Sequence, residues 1–276
     1  MKKTLLLSVV ASTMIMAGGD IAPVEPVVEA PAPVASGWEF SGNAVVYYQT
    51  IDSDFFYPAG GLFDQESSAG DAGIQLKATN NDVFAGIGAG VAVNGLSTLN
   101  LENGVVSDGM QGTGNLTGSN DVDDVTDGGW ISEAYLTYGM GNTSIKAGRQ
   151  TLPKALSPFA YSENWNVFAN TFDSVLVVNT DIANTTIVGA WVYGGNTNSF
   201  GATTIWANNM TDFNSLNGND GVYMLTVQNK SIENLTLTGS YYYAQDAMDI
   251  LWGDAAYNAG SFGVAIQGGT LMNDSF

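Results

Sequence analysis

Lys146, Arg149 and Lys154 fall within nine positions of one another in a chain that carries 7 basic and 27 acidic residues. Cations gathered this tightly in an acidic chain can steer ions or orient anionic groups wherever a low-dielectric wall focuses their field. Lys77 sits on a separate alternating run, and Glu133, Glu163 and Asp173 are the carboxylates that could face these cations. Together the seven form a candidate electrostatic constriction. The plainer reading is a rim of surface charge offsetting acidic loops. Arg149 shares its alternation face with apolar Ile145 and Ala147, Lys146 lies on the wetter face, and Lys154 lies beyond the run where alternation sets no direction.

Other chemistry is narrower. Asp121, Asp123, Asp124 and Asp127 in "NDVDDVTDGG" offer clustered oxygens for a weak calcium site, without the spacing or terminal Glu of a helix-flanked calcium loop. A solvated acidic loop is the favoured reading of the run. The chain has no histidine and no cysteine, which removes Ser-His-Asp and Cys-His catalysis, imidazole or thiolate metal centres, and disulfides. Carboxylate-pair glycoside hydrolysis survives that exclusion, but no spacing singles out two facing carboxyls among Glu133, Asp173 and Glu163. The expectation is a protein that is not an enzyme and needs no cofactor. A net charge of −20 also argues against nucleic acid as a partner.

The elements that must position these residues are strands. In "WISEAYLTYGMGNTSIKAGRQ", residues 130 to 150, Ala134, Leu136 and Tyr138 alternate with Glu133, Tyr135 and Thr137, and Ile145 and Ala147 alternate with Ser144, Lys146 and Gly148. "GMGN" supplies the turn of a hairpin with one oily and one wet side. Alternation predicts eleven strands, near 38–51, 71–79, 83–93, 130–138, 143–149, 171–179, 184–193, 221–228, 234–243, 249–257 and 261–269. Most approach the roughly 9 to 11 residues a tilted strand needs to cross a bilayer. The connections alternate short (80–82, 139–142, 180–183, 229–233, 258–260) with long (52–70, 94–129, 150–170, 194–220) until the brief 244–248 loop. Short periplasmic turns and long external loops produce that alternation in an outer-membrane barrel.

Face composition agrees. Val83, Ala85, Ile87, Ala89, Val91 and Val93 oppose Gly86, Gly88 and Gly90, while Leu235, Leu237, Tyr241 and Tyr243 oppose Thr236, Thr238, Ser240 and Tyr242. Trp38, Tyr48, Tyr138, Tyr193, Tyr243 and Tyr257 recur near strand ends as interfacial girdles do. The expected fold is all-β, a transmembrane antiparallel up-and-down β-barrel spanning 38–276. The small wet-face residues Gly86, Gly88, Ser144 and Thr238 suggest open lumen. Residues 1–17, "MKKTLLLSVVASTMIMA", are built like a cleaved secretory signal peptide. Four prolines in Ala22 to Ala35 make 18–37 an extended periplasmic linker.

The stretch 145–194, with "AGRQ" closing a strand, a Pro-, Asn- and aromatic-rich loop and then "NTFDSVLVVNTDI", resembles the outer-membrane porins of campylobacteria, the major outer membrane protein group within the OprD-like porins. The opening "GWEFSGNAVVYYQT" is similar to the start of such a porin. The resemblance implies a homotrimer of barrels, typically eighteen-stranded, that admits small hydrophilic solutes and ions through a water-filled channel. It also implies a third external loop, here 150–170, folded into the pore. Eleven strands fall short of eighteen, so the expectation is a C-terminally truncated chain. The alternatives are a structural or adhesive barrel with a closed lumen and a secreted all-β carbohydrate-active protein. On the porin reading Lys77, Glu133, Lys146, Arg149, Lys154, Glu163 and Asp173 line or constrict the pore. The pore would prefer cations because of the chain's overall charge.

Overall fold

A computed structural model of the protein describes residues 37–50, 52, 61–64, 68–97, 111–112, 128–164, 166–196 and 208–273. The signal segment, the linker apart from Gly37, and the acidic run from Asp121 to Asp127 lie outside the described residues.

Among the described residues there are fourteen strands: β1 (Glu39–Thr50), β2 (Ser68–Phe84), β3 (Ile87–Ser97), β4 (Gln111–Gly112), β5 (Gly128–Met140), β6 (Thr143–Gln150), β7 (Phe172–Asn179), β8 (Thr185–Gly195), β9 (Asn208–Asn209), β10 (Asn214–Ser215), β11 (Val222–Ile232), β12 (Leu235–Ala244), β13 (Met248–Asn258) and β14 (Gly263–Asn273). The eleven long ones are the eleven read from alternation. They form one antiparallel up-and-down sheet in the order β1-β2-β3-β5-β6-β7-β8-β11-β12-β13-β14, with β10 added beside β8 and β4 paired in parallel with β9. Among the described residues β1 pairs only with β2, and β14 only with β13.

Boundaries move where turn chemistry misleads. The polar run Asn80–Asp82 predicts a turn, yet β2 continues to Phe84 through an irregular register, and the chain reverses at Ala85 and Gly86 instead. Both residues have positive φ, 52° and 81°, which a two-residue hairpin with matching twist requires and which Gly86 makes inexpensive. Asp82 Oδ1 accepts a hydrogen bond from the Gly86 N–H at 2.9 Å, so the polar run supports the turn without forming it. β14 likewise extends to Asn273, past the expected end at 269. At the next short connection but one, between β7 and β8, Asp181 accepts from the side-chain amides of Asn179 (2.6 Å) and Asn142 (3.1 Å). These donors hold its carboxyl below the ordinary range.

The two faces of the sheet are chemically opposite. Outward from strand to strand point Ile74 and Leu76, Val91 and Val93, Ile131 and Leu136, Leu225 and Val227, Leu237, Leu251, and Val264 and Ile266, every one of them exposed. Aromatic side chains bracket this band. Tyr48, Tyr193, Tyr223 and Tyr241 stand at the long-loop end, and Trp38, Phe40, Tyr138 and Tyr257 at the short-turn end. Along β13, Asp249 to Tyr257 covers about 26 Å of strand at ~3.3 Å per residue, which at the ~40° tilt of a barrel strand spans roughly 20 Å of the ~25 Å height of a lipid-facing apolar band. Buried polar side chains lie on the inner face instead, among them Asn94, Ser132, Glu133, Gln150, Ser174, Thr226, Gln228, Thr238 and Ser240.

Candidate functional site

Cross-strand register builds the charged part of the inner wall. Ser41, Lys77, Ala92 and Glu133 stand side by side in one row across β1, β2, β3 and β5. Lys77 and Glu133 are two strands apart, yet Lys77 Nζ reaches Glu133 Oε2 at 2.6 Å. Ala92 between them is fully buried, and its short side chain leaves room for the lysine stem to pass over β3. A bulge in β5 assists: Ala92 pairs with Glu133 while Val93 pairs with Ile131, so Ser132 is the extra residue and both Ser132 and Glu133 turn inward. Ser132 Oγ and Gln75 Nε2 converge on Asn94 Oδ1 at 2.9 and 2.8 Å, adding a polar row beside the ion pair.

The next row sets an aromatic ring against a second cation. Tyr135 pairs with Gly90 on one side and Gly148 on the other. A Cβ at Gly90 would collide with the Tyr135 ring, so the glycine lets the ring lie flat on β3. Gly88 gives way to Thr137 in the same manner, and Gly86 belongs to the turn. The space that small residues were expected to leave open is therefore filled at Gly88 and Gly90 by side chains of the neighbouring strand. Lys146 Nζ sits 3.7 Å from the Tyr135 ring centre and Lys77 Nζ 5.9 Å from it. One carboxylate thus faces two ammonium groups, and a face-on contact of this kind stabilises by about 0.5–2 kcal/mol.

The segment between β6 and β7, residues 151–171, lies on the inner face. Leu152 and Leu156 pack with Phe172, Val188, Val192, Met224 and Tyr242. The Phe159 N–H donates to Tyr242 Oη at 3.2 Å, and its ring meets Tyr242 and Trp252 edge-on. Toward the opposite side Val167 and Phe168 join Leu96, Trp130 and Met210, with Phe168 and Trp130 edge-on at 5.7 Å. Gly73 on β2 provides the seat, since a Cβ there would come within 2.6 Å of both Phe168 and Val167. The loop thus touches strands at both sides of the described sheet. A cavity of about 460 Å³ opens beside it, lined by Phe159, Tyr161, Glu163 and Phe172 among others.

The remaining sequence candidates are not brought to the Lys77–Glu133–Lys146 cluster. Arg149 and Asp173 pair across β6 and β7 on the outer face, with Nε–Oδ1 2.8 Å and Nη2–Oδ2 3.0 Å. The guanidinium also donates to the Ile131 carbonyl at 3.1 Å and lies 3.2 Å from the centre of the Phe213 ring. Lys154 sits in the inner loop with its ammonium 4.6 Å from the Tyr161 ring centre. Glu163 is in the same loop, where its N–H donates to Asn170 Oδ1 at 2.6 Å. Glu133 and Asp173 stand on opposite faces of the sheet and so form no facing carboxyl pair. Sequence reading passed over Tyr135, Ala92 and Gln111, although the alternating glycines of "GIGAG" signalled that a neighbouring strand would lay something large there.

No family model matches the chain, and no curated protein matches it. Solved structures do. OccD3 (OpdP) of Pseudomonas aeruginosa matches with TM-score 0.57 and 12% identity over 87% of this chain and 50% of that one. OccAB3 of Acinetobacter baumannii matches with TM-score 0.60 and 12% identity over 86% and 58%. The fold is theirs. A BenF-like porin from Pseudomonas fluorescens Pf-5 matches similarly, with TM-score 0.58 and 11% identity over 87% and 59%. The chain spans between half and three fifths of the length of these structures.

Proposed function

We propose that this chain builds the wall of an outer-membrane porin, a water-filled channel for passive diffusion of small hydrophilic solutes and ions. The observation that carries this reading is the opposition of faces: large apolar side chains exposed along strand after strand outside, and polar and charged ones inside. A water-soluble sheet would bury the apolar face. Asn94, Gln150 and Ser174 are among the polar side chains turned to the inner side, as in the wall of a hydrated lumen. The likeness to porin structures supports the same reading. On it, residues 1–17 are a cleaved leader to the periplasm, 18–37 a spacer, and the protein assembles as a homotrimer in the outer membrane of a Gram-negative cell. The acidic total favours cations, and Lys77 and Lys146 limit that preference where they meet Glu133. The Asp121–Asp127 run is a solvated stretch of an external loop, with weak calcium binding as the alternative.

A second reading is favoured by the loop of residues 151–171, whose apolar contacts with β8, β11 and β12 would suit a plugged barrel. Planar-bilayer recording separates the two. In a full-length version of the barrel, stepwise conductance in potassium chloride supports the porin, whereas folded, heat-modifiable protein that inserts without conducting supports the plug.

A further inference from the structure

Gln111 is fully buried, and its carboxamide grips both backbone polar groups of one residue in another loop: Nε2 donates to the Phe168 carbonyl at 2.6 Å, and Oε1 accepts from the Phe168 N–H at 2.8 Å. Its own N–H donates to Asp71 Oδ2 on the inner face of β2 at 3.1 Å. Asn196 repeats the device nearby, accepting from the Thr171 N–H at 2.7 Å and donating to the Met210 carbonyl at 2.8 Å. The Met210 N–H in turn donates to the Gly112 carbonyl at 2.8 Å, closing the weave between β4 and β9. Two side-chain amides thus tie three separate long connections together at one end of the sheet. Their common target is the part of the inner loop seated over Gly73.

We propose that Gln111 is a positioning residue that latches the loop of residues 151–171 across the inner face and so fixes the aperture, an inference resting on the porin reading for its effect on conduction. A carboxamide is the side chain that can donate and accept toward the C=O and N–H of the same residue, as a residue of a neighbouring antiparallel strand does. A carboxylate of the same shape keeps the acceptor, loses the donor and sets a charge against the Phe168 carbonyl and Asp71. Protonating that carboxylate restores the donor. Apolar packing of Phe168 on Trp130 and Gly73 orients the loop tip but directs no hydrogen bond at its backbone, as the Gln111 carboxamide does.

The test is hydrogen exchange on the full chain in detergent, comparing Gln111→Glu and Gln111→Ala with the unmodified protein at each pH. The expected result is that amides of 166–171 exchange about tenfold faster or more in Gln111→Ala at both pH values. In Gln111→Glu they should do so at pH 7 but return to unmodified protection near pH 4.5, with amides of β11 to β13 unchanged throughout. Unchanged protection of 166–171 in both variants, or loosening in Gln111→Glu that acid does not reverse, overturns the latch. If Gln111→Ala does not fold, the acid reversal in Gln111→Glu alone decides. Bilayer recording of Gln111→Glu should show an enlarged, noisy conductance at pH 7 that quietens near pH 4.5. Exchange behaving as expected in a chain that never conducts would keep the latch and end the porin reading.

Discussion

The Lys146 ammonium lies 3.7 Å from the centre of the Tyr135 ring, and that ring rests in space left vacant by Gly90. A glycine on β3 therefore decides where a cation on β6 stands, through an aromatic residue on β5. Glu133 on the same strand is occupied by Lys77, so among the described residues Lys146 is the cation of this cluster that no carboxylate neutralises at contact distance.

Selectivity should follow from that difference. Lys146→Gln is expected to raise the cation-to-anion permeability ratio measured from reversal potentials in a salt gradient. Arg149→Gln should leave the ratio unchanged, because Arg149 pairs with Asp173 on the outer face. A ratio that responds to Arg149 and ignores Lys146 would reverse these roles.

Gly90→Ala should destabilise the sheet by about 1–3 kcal/mol, because the added methyl meets the Tyr135 ring. The loss should shrink when Tyr135→Ser is combined with it, and a double-mutant cycle by urea unfolding in detergent measures the coupling. Strict additivity would show that the two residues do not share the space.

Lys77→Met leaves the Glu133 carboxylate buried without its ion partner, at a cost on the order of 3 kcal/mol. Lys77→Met with Glu133→Leu should recover much of it. Removing Asp173 from the partly exposed Arg149 pair should cost only ~1 kcal/mol, since the pair stands at the long-loop ends of β6 and β7, where water at the rim screens it. Comparable losses at the two pairs would mean that the inner wall is as well solvated as the rim.

Acid should loosen one short turn before the strands. The folded Asp181 carboxyl is held below its usual value by Asn179 and Asn142. Its stabilising effect is therefore complete above the unfolded value near 3.8 and is lost as pH falls through the depressed folded value. Exchange at Thr180 to Asn184, measured against an Asp181→Asn variant as pH is lowered below about 4, should converge with that variant. A constant gap between them would remove Asp181 from the account of the turn.

Strand positions were legible in the sequence because two chemically opposite faces impose period two, as in Leu235, Leu237 and Tyr241 against Thr236, Thr238 and Tyr242. The third long connection was placed inside by resemblance, and Leu152, Phe159 and Phe168 show what holds it there. Alternation could not give the Lys77–Glu133 pair, whose members are joined by register across β3, or the bulge at Ser132 that turns Glu133 inward. Nor could it reveal Gln111, whose partners are the backbone groups of a residue 57 positions away. The wet-face glycines were visible but ambiguous, since an absent side chain marks either open water or a neighbour's ring.

On the porin reading, one face of this sheet meets lipid and the other water. The chain contains no cysteine, so single cysteines can be read without background. Ser144→Cys and Thr236→Cys on the inner face, and Ile145→Cys and Leu237→Cys on the outer face, would be exposed to a charged, membrane-impermeant thiol reagent in proteoliposomes. The account predicts that 144 and 236 are modified while 145 and 237 stay protected. Equal modification at all four, or protection of the inner pair with modification of the outer, would contradict it.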